Sequence, residues 1–135
     1  SLLYAYGGTV SIVDMVIFGE PVSKANSRRL VKSKTGRPLF IKSQKALDYC
    51  KSFAKQCKKI TPLPENDLAV DIKIYYASRR PDLDESLILD CLQGFVYKND
   101  RQVKEKHIVW GGVDKANPRA EICVRHLQDC LQQSD

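Results

Sequence analysis

One amphipathic stripe constrains the fold of this chain more than any other feature. From residue 44 to residue 60 a set of apolar residues recurs at spacings of four, three, four and three, which is the pattern of one face of an α-helix. Ser43 stands where an N-cap belongs, and Pro62 and Pro64 follow the stripe. We therefore predict one long helix over residues 44–59. Its apolar stripe consists of Ala46, Cys50, Phe53, Cys57 and Ile60.

The other apolar residues lie in short runs that are typical of strands. Residues 67–77 alternate apolar and polar side chains, which predicts a half-buried strand with Asp71 and Lys73 on its outer side. Asp84 can cap a short helix over residues 85–93, and Gly94 ends it. The sequence thus predicts an α+β fold: a small mixed β-sheet with one long amphipathic helix and one short helix. Further strands are predicted at residues 10–18, 38–41, 102–110 and 120–126, and residues 23–36 are predicted to form a loop.

The chain length favours a single domain over residues 1–135. With 135 residues, of which 43% are hydrophobic, the chain can form one packed core. Residues 1–9 are interpreted as an N-terminal arm or an expression remnant, and residues 128–135 as a polar, frayed tail. The apolar runs are only a few residues long, so no membrane span is expected. The start of the sequence lacks the basic and apolar regions of a signal peptide, so secretion is not expected.

The charge distribution predicts a polyanionic partner. Residues 23–59 carry twelve Lys or Arg and one acid, whereas the net charge of the whole chain is only +6. A solvated basic surface without a partner is the alternative, but nucleic acid is the most common partner of so uneven a charge. We expect contacts with DNA from Lys24, Asn26, Arg28, Arg29, Lys32, Lys34, Arg37, Arg79 and Arg80, with added charge from Lys51, Lys55, Lys58 and Lys59 on the helix.

The cysteines predict reduced thiols. Five cysteines make an odd count, and no C-x-x-C pair occurs, so neither a disulfide framework nor a zinc ribbon is indicated. The pairs at spacing seven, Cys50 with Cys57 and Cys123 with Cys130, have no histidine partners and are weak metal candidates. We interpret the cysteines as inert, buried side chains in a reducing, cytosol-like compartment, and His107 and His126 as structural.

A D-x-D sequence is the strongest chemical signal. In an extended segment Asp82 and Asp84 point to the same side, about 6 to 7 Å apart along the chain. If the strand, the short helix and the returning strand pack compactly, Asp100 can approach this edge and help supply the oxygen ligands that Mg²⁺ or Mn²⁺ requires. Asp90, on the short helix, is a second-tier candidate. An ion cluster with Arg79 and Arg80 is the structural alternative. An EF-hand is excluded, because its sixth and twelfth loop positions hold Leu87 and Gln93 instead of Gly and Glu.

Two blocks of sequence resemble the RusA family of Holliday junction resolvases, and the resemblance extends from about residue 13 to residue 126. The first block is G-E-P-V-S-K-A-N (residues 19–26) with Arg28 and Arg29, followed by Ser43 and a helix that bears Tyr49. It is similar to the family's G-x-P-x-S-x-N-x-R opening. The second and more specific block comprises R-P-D-L-D (80–84), L-D-C-L-Q-G (89–94) and V-Y-K-N-D-R-Q-V (96–103).

The resemblance implies a RusA-like fold and a Mg²⁺-dependent endodeoxyribonuclease. Asp82, Asp84 and Asp100 match the family's metal-binding aspartates, and Asp90 matches an acid whose role is secondary. The implied reaction is phosphodiester hydrolysis to a 5′-phosphate and a 3′-hydroxyl. The implied substrate is a four-way junction cut by paired symmetric nicks, the implied assembly is a homodimer, and the implied setting is the cytoplasm of a bacterium or of a phage-infected host.

One departure from the family pattern concerns catalysis. The segment between Asp84 and Leu87 is two residues short and lacks the family's catalytic lysine. Lys98 or Arg80 is the sequence-based candidate for the missing charge. Two other functions remain open: a branched-DNA-binding protein with impaired catalysis, and a nuclease for flaps and other branched DNA.

Overall fold

The structure, a computed structural model, describes residues 11–127. It has six strands, two α-helices and two single 3-10 turns, so the predicted α+β class is confirmed. The N-terminal arm and the polar tail, including Cys130, lie outside the described residues. The elements are β1 (Ser11–Phe18), β2 (Arg28–Lys32), β3 (Pro38–Lys42), α1 (Gln44–Gln56), β4 (Leu68–Tyr76), α2 (Ser86–Leu92), β5 (Val103–Val113) and β6 (Arg119–His126), with 3-10 turns at Lys24–Asn26 and Asp100–Gln102.

Four strands form a mixed sheet in the order β1-β6-β4-β5. β4 pairs in parallel with β5 and antiparallel with β6, and β6 pairs antiparallel with β1. β4 therefore has a neighbour on both sides. Its side chains on one face enter the core, and Asp71 on the other face meets Arg125 of β6. The core face and both helices share one hydrophobic cluster, which includes Ile17, Phe53, Leu68, Ile72, Ile74, Ile88, Ile122 and Val124.

Asp71 was predicted to lie on the outer side of β4, and this prediction is wrong because the side chain is buried. This residue is 1% exposed, because Arg125 of β6 covers it with a hydrogen bond of 2.9 Å from Nε. Glu105 of β5 accepts a second bond from the same guanidinium, at 2.8 Å. A period-two pattern marks alternate faces but does not show whether a polar face meets solvent or a neighbouring ion pair.

The long helix is confirmed, but it ends earlier than predicted. The Ser43 hydroxyl accepts a hydrogen bond from the backbone of Ala46, as expected of an N-cap. α1 ends at Gln56 rather than residue 59, and Cys57 is extended. The chain leaves the helix here because the backbone nitrogen of Ile60 bonds to the carbonyl of Phe95, at 2.8 Å. Two apolar residues of the predicted stripe therefore pack from an extended segment.

The predicted loop over residues 23–36 is wrong in part. It contains the turn at Lys24–Asn26 and the strand β2, which pairs with β3 as a separate two-stranded sheet. We call β2, β3 and their connection the basic hairpin. Most side chains of β2 are exposed, so its sequence has no buried apolar face from which a strand could be predicted.

The described cysteines are free thiols. Cys123 is buried, and Cys50, Cys57 and Cys91 are partly buried. Burial raises the pKa of Cys57 to about 11, as expected for an unreactive thiol. Among residues 11–127, no helix is long and apolar enough to cross a membrane.

Candidate functional site

The loop after β4 is held in place by a tyrosine from the core. The Tyr76 hydroxyl donates to the carbonyl of Asp82 and accepts from the backbone nitrogen of Asp84, both at 3.1 Å. The Tyr76 ring is 1% exposed and stacks on Trp110, with ring centroids 5.0 Å apart. The backbone of the D-x-D segment is therefore tied directly to the sheet.

The Asp84 carboxylate is bound by two backbone amides. Its Oδ2 accepts from Lys24 at 2.7 Å, and its Oδ1 accepts from Ser86, the first residue of α2, at 2.9 Å. Glu85 occupies the N-cap position, but its side chain makes no capping hydrogen bond, so Asp84 stabilises the helix start from one residue further out. Burial raises the pKa of Asp84, but these hydrogen bonds outweigh it and hold the pKa below its ordinary value.

Asp90 and Asp100 line one cavity of about 270 Å³, which we call the Asp90–Asp100 cavity. Gln93 joins the two residues: its Oε1 accepts from the backbone nitrogen of Asp100 at 2.9 Å, and its Nε2 donates to Asp90 at 3.3 Å. This brings together two acids that are ten residues apart in sequence. The other lining residues are Lys24, Ser27, Arg28, Lys42, Ser86 and Leu87.

One of the nearby cations contacts the acids of the Asp90–Asp100 cavity, and three others do not. Lys42 lies 3.5 Å from the Asp90 carboxylate, and both side chains are half exposed. Lys98 instead contacts Glu65, and it is not among the residues that line the Asp90–Asp100 cavity. Arg79 and Arg80 are exposed and, within residues 11–127, form no ion pair with the D-x-D acids. The structure does not contain the ion cluster that the sequence offered as the alternative to a metal site.

Carboxylates are suitable ligands for a hard cation, although these carboxylates do not form a preassembled metal site. Within residues 11–127, no three His, Cys, Asp or Glu side chains lie close enough together to hold a metal ion. The structure places Asp90 and Asp100 in one cavity and Asp84 beside it through Lys24 and Ser86, while Asp82 is exposed. Carboxylate oxygens are the ligands that Mg²⁺ and Mn²⁺ prefer, so the donor set fits these ions.

All nine predicted DNA-contacting residues are exposed, and two of them lie beside the acids. Lys24 and Arg28 line the Asp90–Asp100 cavity. Asn26 and Arg80 line a second cavity of about 880 Å³. The remaining residues lie on the basic hairpin or next to the D-x-D loop: Arg29, Lys32, Lys34, Arg37 and Arg79.

A comparison with known families assigns the chain to one of them. Residues 19–125 match the family model described as endodeoxyribonuclease RusA. The chain belongs to the RusA family. The match contains both motif blocks, the basic hairpin and every candidate aspartate of this RusA-family chain, and it establishes an endodeoxyribonuclease family with DNA as its substrate class. None of the curated proteins matches the chain significantly.

Four residues that position the site were missed in the sequence. Tyr76 and Gln93 act through hydrogen bonds to backbone groups of the acid loops, and Lys42 becomes a candidate only because β3 carries it to Asp90. The Glu20 carboxylate accepts from the backbone of Ala77, at 2.6 Å, and so ties the first motif block to the end of β4. Only Glu20 and Gln93 lie inside the motif blocks, and neither residue type alone indicates such a role.

Proposed function

We propose that this RusA-family endonuclease cuts four-way DNA junctions in a Mg²⁺-dependent reaction. The observation that supports this most strongly is the shared cavity, in which the acids Asp90 and Asp100 meet Arg28 and Lys42 of the basic hairpin. A polyanion bound by the hairpin would have its backbone next to the carboxylates. This is the arrangement that phosphodiester cleavage requires.

Asp82, Asp84 and Asp100 are the proposed metal ligands, and Asp90 is a further candidate. When bound, Mg²⁺ or Mn²⁺ would activate the attacking water and stabilise charge on the scissile phosphate. Two residues fix the positions of these carboxylates. Tyr76 binds the D-x-D backbone, and Gln93 orients Asp90 and the segment that bears Asp100. The amides that bind Asp84 keep it ionised, since they lower its pKa.

A cation is also needed to balance charge that develops on the phosphate. Lys42 and Lys24 are our preferred candidates, because both line the Asp90–Asp100 cavity. Lys98 and Arg80, the candidates from sequence, stay in the proposal as alternatives, but neither lines the Asp90–Asp100 cavity, and Lys98 is paired with Glu65 outside it. The lysine absent from the second motif block is then replaced by one from the first half of the chain.

The proposed assembly is a homodimer. Two nicks related by twofold symmetry across a junction are most simply made by two copies related by the same symmetry. The basic hairpin, together with Arg79 and Arg80 beside the D-x-D acids, would bind phosphates and recognise the shape of the DNA rather than its sequence. A mass measurement that gives a stable monomer both with and without junction DNA would exclude this part of the proposal.

A labelled synthetic four-way junction provides the test. The protein is incubated with it in Mg²⁺ beside two variants, Asp82→Asn and Asp67→Asn. Asp67 precedes β4 and lies at the opposite end of this nine-residue strand from the acid loop, so it is a matched control. We expect paired symmetric nicks from the wild type and from Asp67→Asn, and none from Asp82→Asn. Equal cleavage of a linear duplex or of a flap would contradict junction specificity.

The second candidate function is a branched-DNA-binding protein without catalysis. It is favoured by the missing lysine and by the absence of three clustered metal-binding side chains among residues 11–127. Tight junction binding that survives Asp82→Asn, with no cleavage in Mg²⁺ or Mn²⁺, would establish it. Cleavage by the wild type would exclude it.

A further inference from the structure

Two large apolar side chains protrude from the basic hairpin. Phe40 is 72% exposed and Leu30 is 59% exposed, which are the highest values among the large hydrophobic residues that the structure describes. Leu30 and Phe40 are direct partners in the β2–β3 register. Directly opposite residues of an antiparallel pair lie on the same face, with Cβ atoms about 4.5 to 5.5 Å apart. They therefore form one exposed apolar patch.

This patch lies on the face of the hairpin that bears the cavity cations. Side chains of a strand alternate between faces, so Arg28 shares a face with Leu30, and Lys42 shares a face with Phe40. Arg28 and Lys42 are themselves register partners, and both line the Asp90–Asp100 cavity. The apolar pair is thus one pleat repeat, about 7 Å, further along the same face.

Charge identifies the occupant of this face. The hairpin, residues 28–42, contains six Lys or Arg and no acid. Contact with the same hairpin of a second copy would bring like charges together, which opposes association. A nucleic acid neutralises the cations and also offers flat apolar base faces to an aromatic ring. Phe and Leu are among the side chains that proteins insert between bases.

We propose that Leu30 and Phe40 form a wedge that contacts unstacked bases at the branch point of the DNA, while Arg28, Lys32 and Lys42 bind the neighbouring phosphates. This inference rests on the proposed function and adds to it the element that distinguishes a branch from a duplex. Bases inside a duplex are stacked on both sides, whereas those at a branch point are exposed at lower energetic cost. The wedge would also fix which phosphates reach the Asp90–Asp100 cavity.

The experiment compares Phe40→Ala with Leu39→Ala. Leu39 is a neighbour in β3, is 46% exposed and lies on the opposite face, so it is a matched control. Binding to a four-way junction and to a linear duplex of the same sequence is measured in Ca²⁺ in place of Mg²⁺. A 2-aminopurine at the branch point reports unstacking. Because Phe40 is exposed, the variant should fold, and thermal melting checks this.

We expect Phe40→Ala to weaken junction binding about tenfold, in line with the loss of one stacked base, and to leave duplex binding within about twofold. The 2-aminopurine signal of the wild type should be lost in Phe40→Ala, kept in Leu39→Ala and restored in Phe40→Trp. Junction binding by Phe40→Ala equal to that of the wild type would overturn the wedge. Equal losses for Phe40→Ala and Leu39→Ala, or a change of oligomeric state in Phe40→Ala, would also overturn it.

The same samples distinguish failure of the wedge from failure of the proposed function. If the wild type cuts junctions in Mg²⁺ and Phe40→Ala cuts and binds them equally well, only the wedge is wrong. If the wild type neither prefers nor cuts junctions, the proposed function is wrong, and the wedge is wrong with it.

Discussion

The backbone nitrogen of Lys24 donates a hydrogen bond of 2.7 Å to the carboxylate of Asp84, although the two residues lie 60 positions apart. The bond joins the two motif blocks of the chain. The same turn is tied to the long helix, because the Ser43 hydroxyl donates to the carbonyl of Asn26 at 2.7 Å. The first block therefore positions the acid loop as well as carrying basic side chains.

Replacing Lys24 by proline should separate these two roles. Lys24 is the first residue of a 3-10 turn, a position that tolerates proline, so Lys24→Pro removes the N–H donor together with the side chain. Lys24→Ala removes only the side chain. We expect cleavage by Lys24→Pro to fall about 10- to 100-fold below that of Lys24→Ala, as for other partners that orient a metal ligand. Equal cleavage rates for the two variants would show that the bond to Asp84 does not matter.

Removing the Tyr76 hydroxyl should loosen the D-x-D loop without touching the DNA-binding surface. Tyr76→Phe leaves two backbone groups without their partner, and we expect the free energy of unfolding to fall by about 1 to 3 kcal/mol. Cleavage should fall while junction affinity stays constant. Tyr75→Phe is the control, since Tyr75 contacts Arg119 through its ring face. Urea denaturation and single-turnover cleavage measure the two effects, and an unchanged cleavage rate in Tyr76→Phe would refute the positioning role.

Gln93 should set the affinity of the site for metal. Gln93→Met keeps the size of the side chain but removes both the bond to Asp90 and the bond to the Asp100 backbone. We expect the Mg²⁺ concentration for half-maximal cleavage to rise about 10- to 100-fold. Gln44→Met, which alters an exposed glutamine on α1, should leave it unchanged. Identical Mg²⁺ titrations for the two variants would count against the role of Gln93.

Lys42 should matter more for cleavage than Lys98. Lys42→Ala removes a cation from the Asp90–Asp100 cavity, and we expect cleavage to fall about 100-fold, as for other groups that stabilise developing charge. Lys98→Ala removes only an exposed ion pair with Glu65, so its turnover should stay close to that of the wild type. The reverse order of the two variants in single-turnover cleavage would restore Lys98 as the catalytic cation.

Tyr49 and Tyr97 provide a prediction on stability alone. Within residues 11–127 the Tyr49 hydroxyl is buried and has no hydrogen-bond partner, whereas the Tyr97 hydroxyl donates to the carbonyl of Leu89. Tyr49→Phe should raise the free energy of unfolding by about 1 kcal/mol, and Tyr97→Phe should lower it by a similar amount. Urea denaturation checks both signs. A loss of stability in Tyr49→Phe would mean that its hydroxyl has a partner.

Local patterns predicted the elements that bury an apolar face. The stripe of α1 and the alternation of β4 each reflect contact with the core, and both elements are present where expected. β2 was missed because almost all of its side chains are exposed. Its residues pair in register with β3, but they show no regular spacing of buried apolar side chains. The early end of α1 depends on a hydrogen bond from Ile60 to Phe95, which no local pattern encodes.

The sequence proposes the acids of the candidate site but not the residues that support them. Asp82 and Asp84 are grouped by alternation along one segment, and their shared role stays a prediction. The approach of Asp100 to Asp90 depends on the side chain of Gln93, and that of Lys42 depends on the path of a strand from the other half of the chain. Such contacts arise from the tertiary fold, so residue spacing could not indicate them.

The strand order has a consequence for when the protein can act. β6 lies between β1 and β4. Among the strands of residues 11–127, it alone joins β1, which leads to the Lys24 turn, with β4, which carries the acid loop. β6 is also the last of the described strands to leave the ribosome. Until it has been synthesised and inserted, the two halves of the proposed site have no sheet to hold them together. A nascent chain of this nuclease is therefore expected to stay inactive on DNA until its synthesis has passed residue 126.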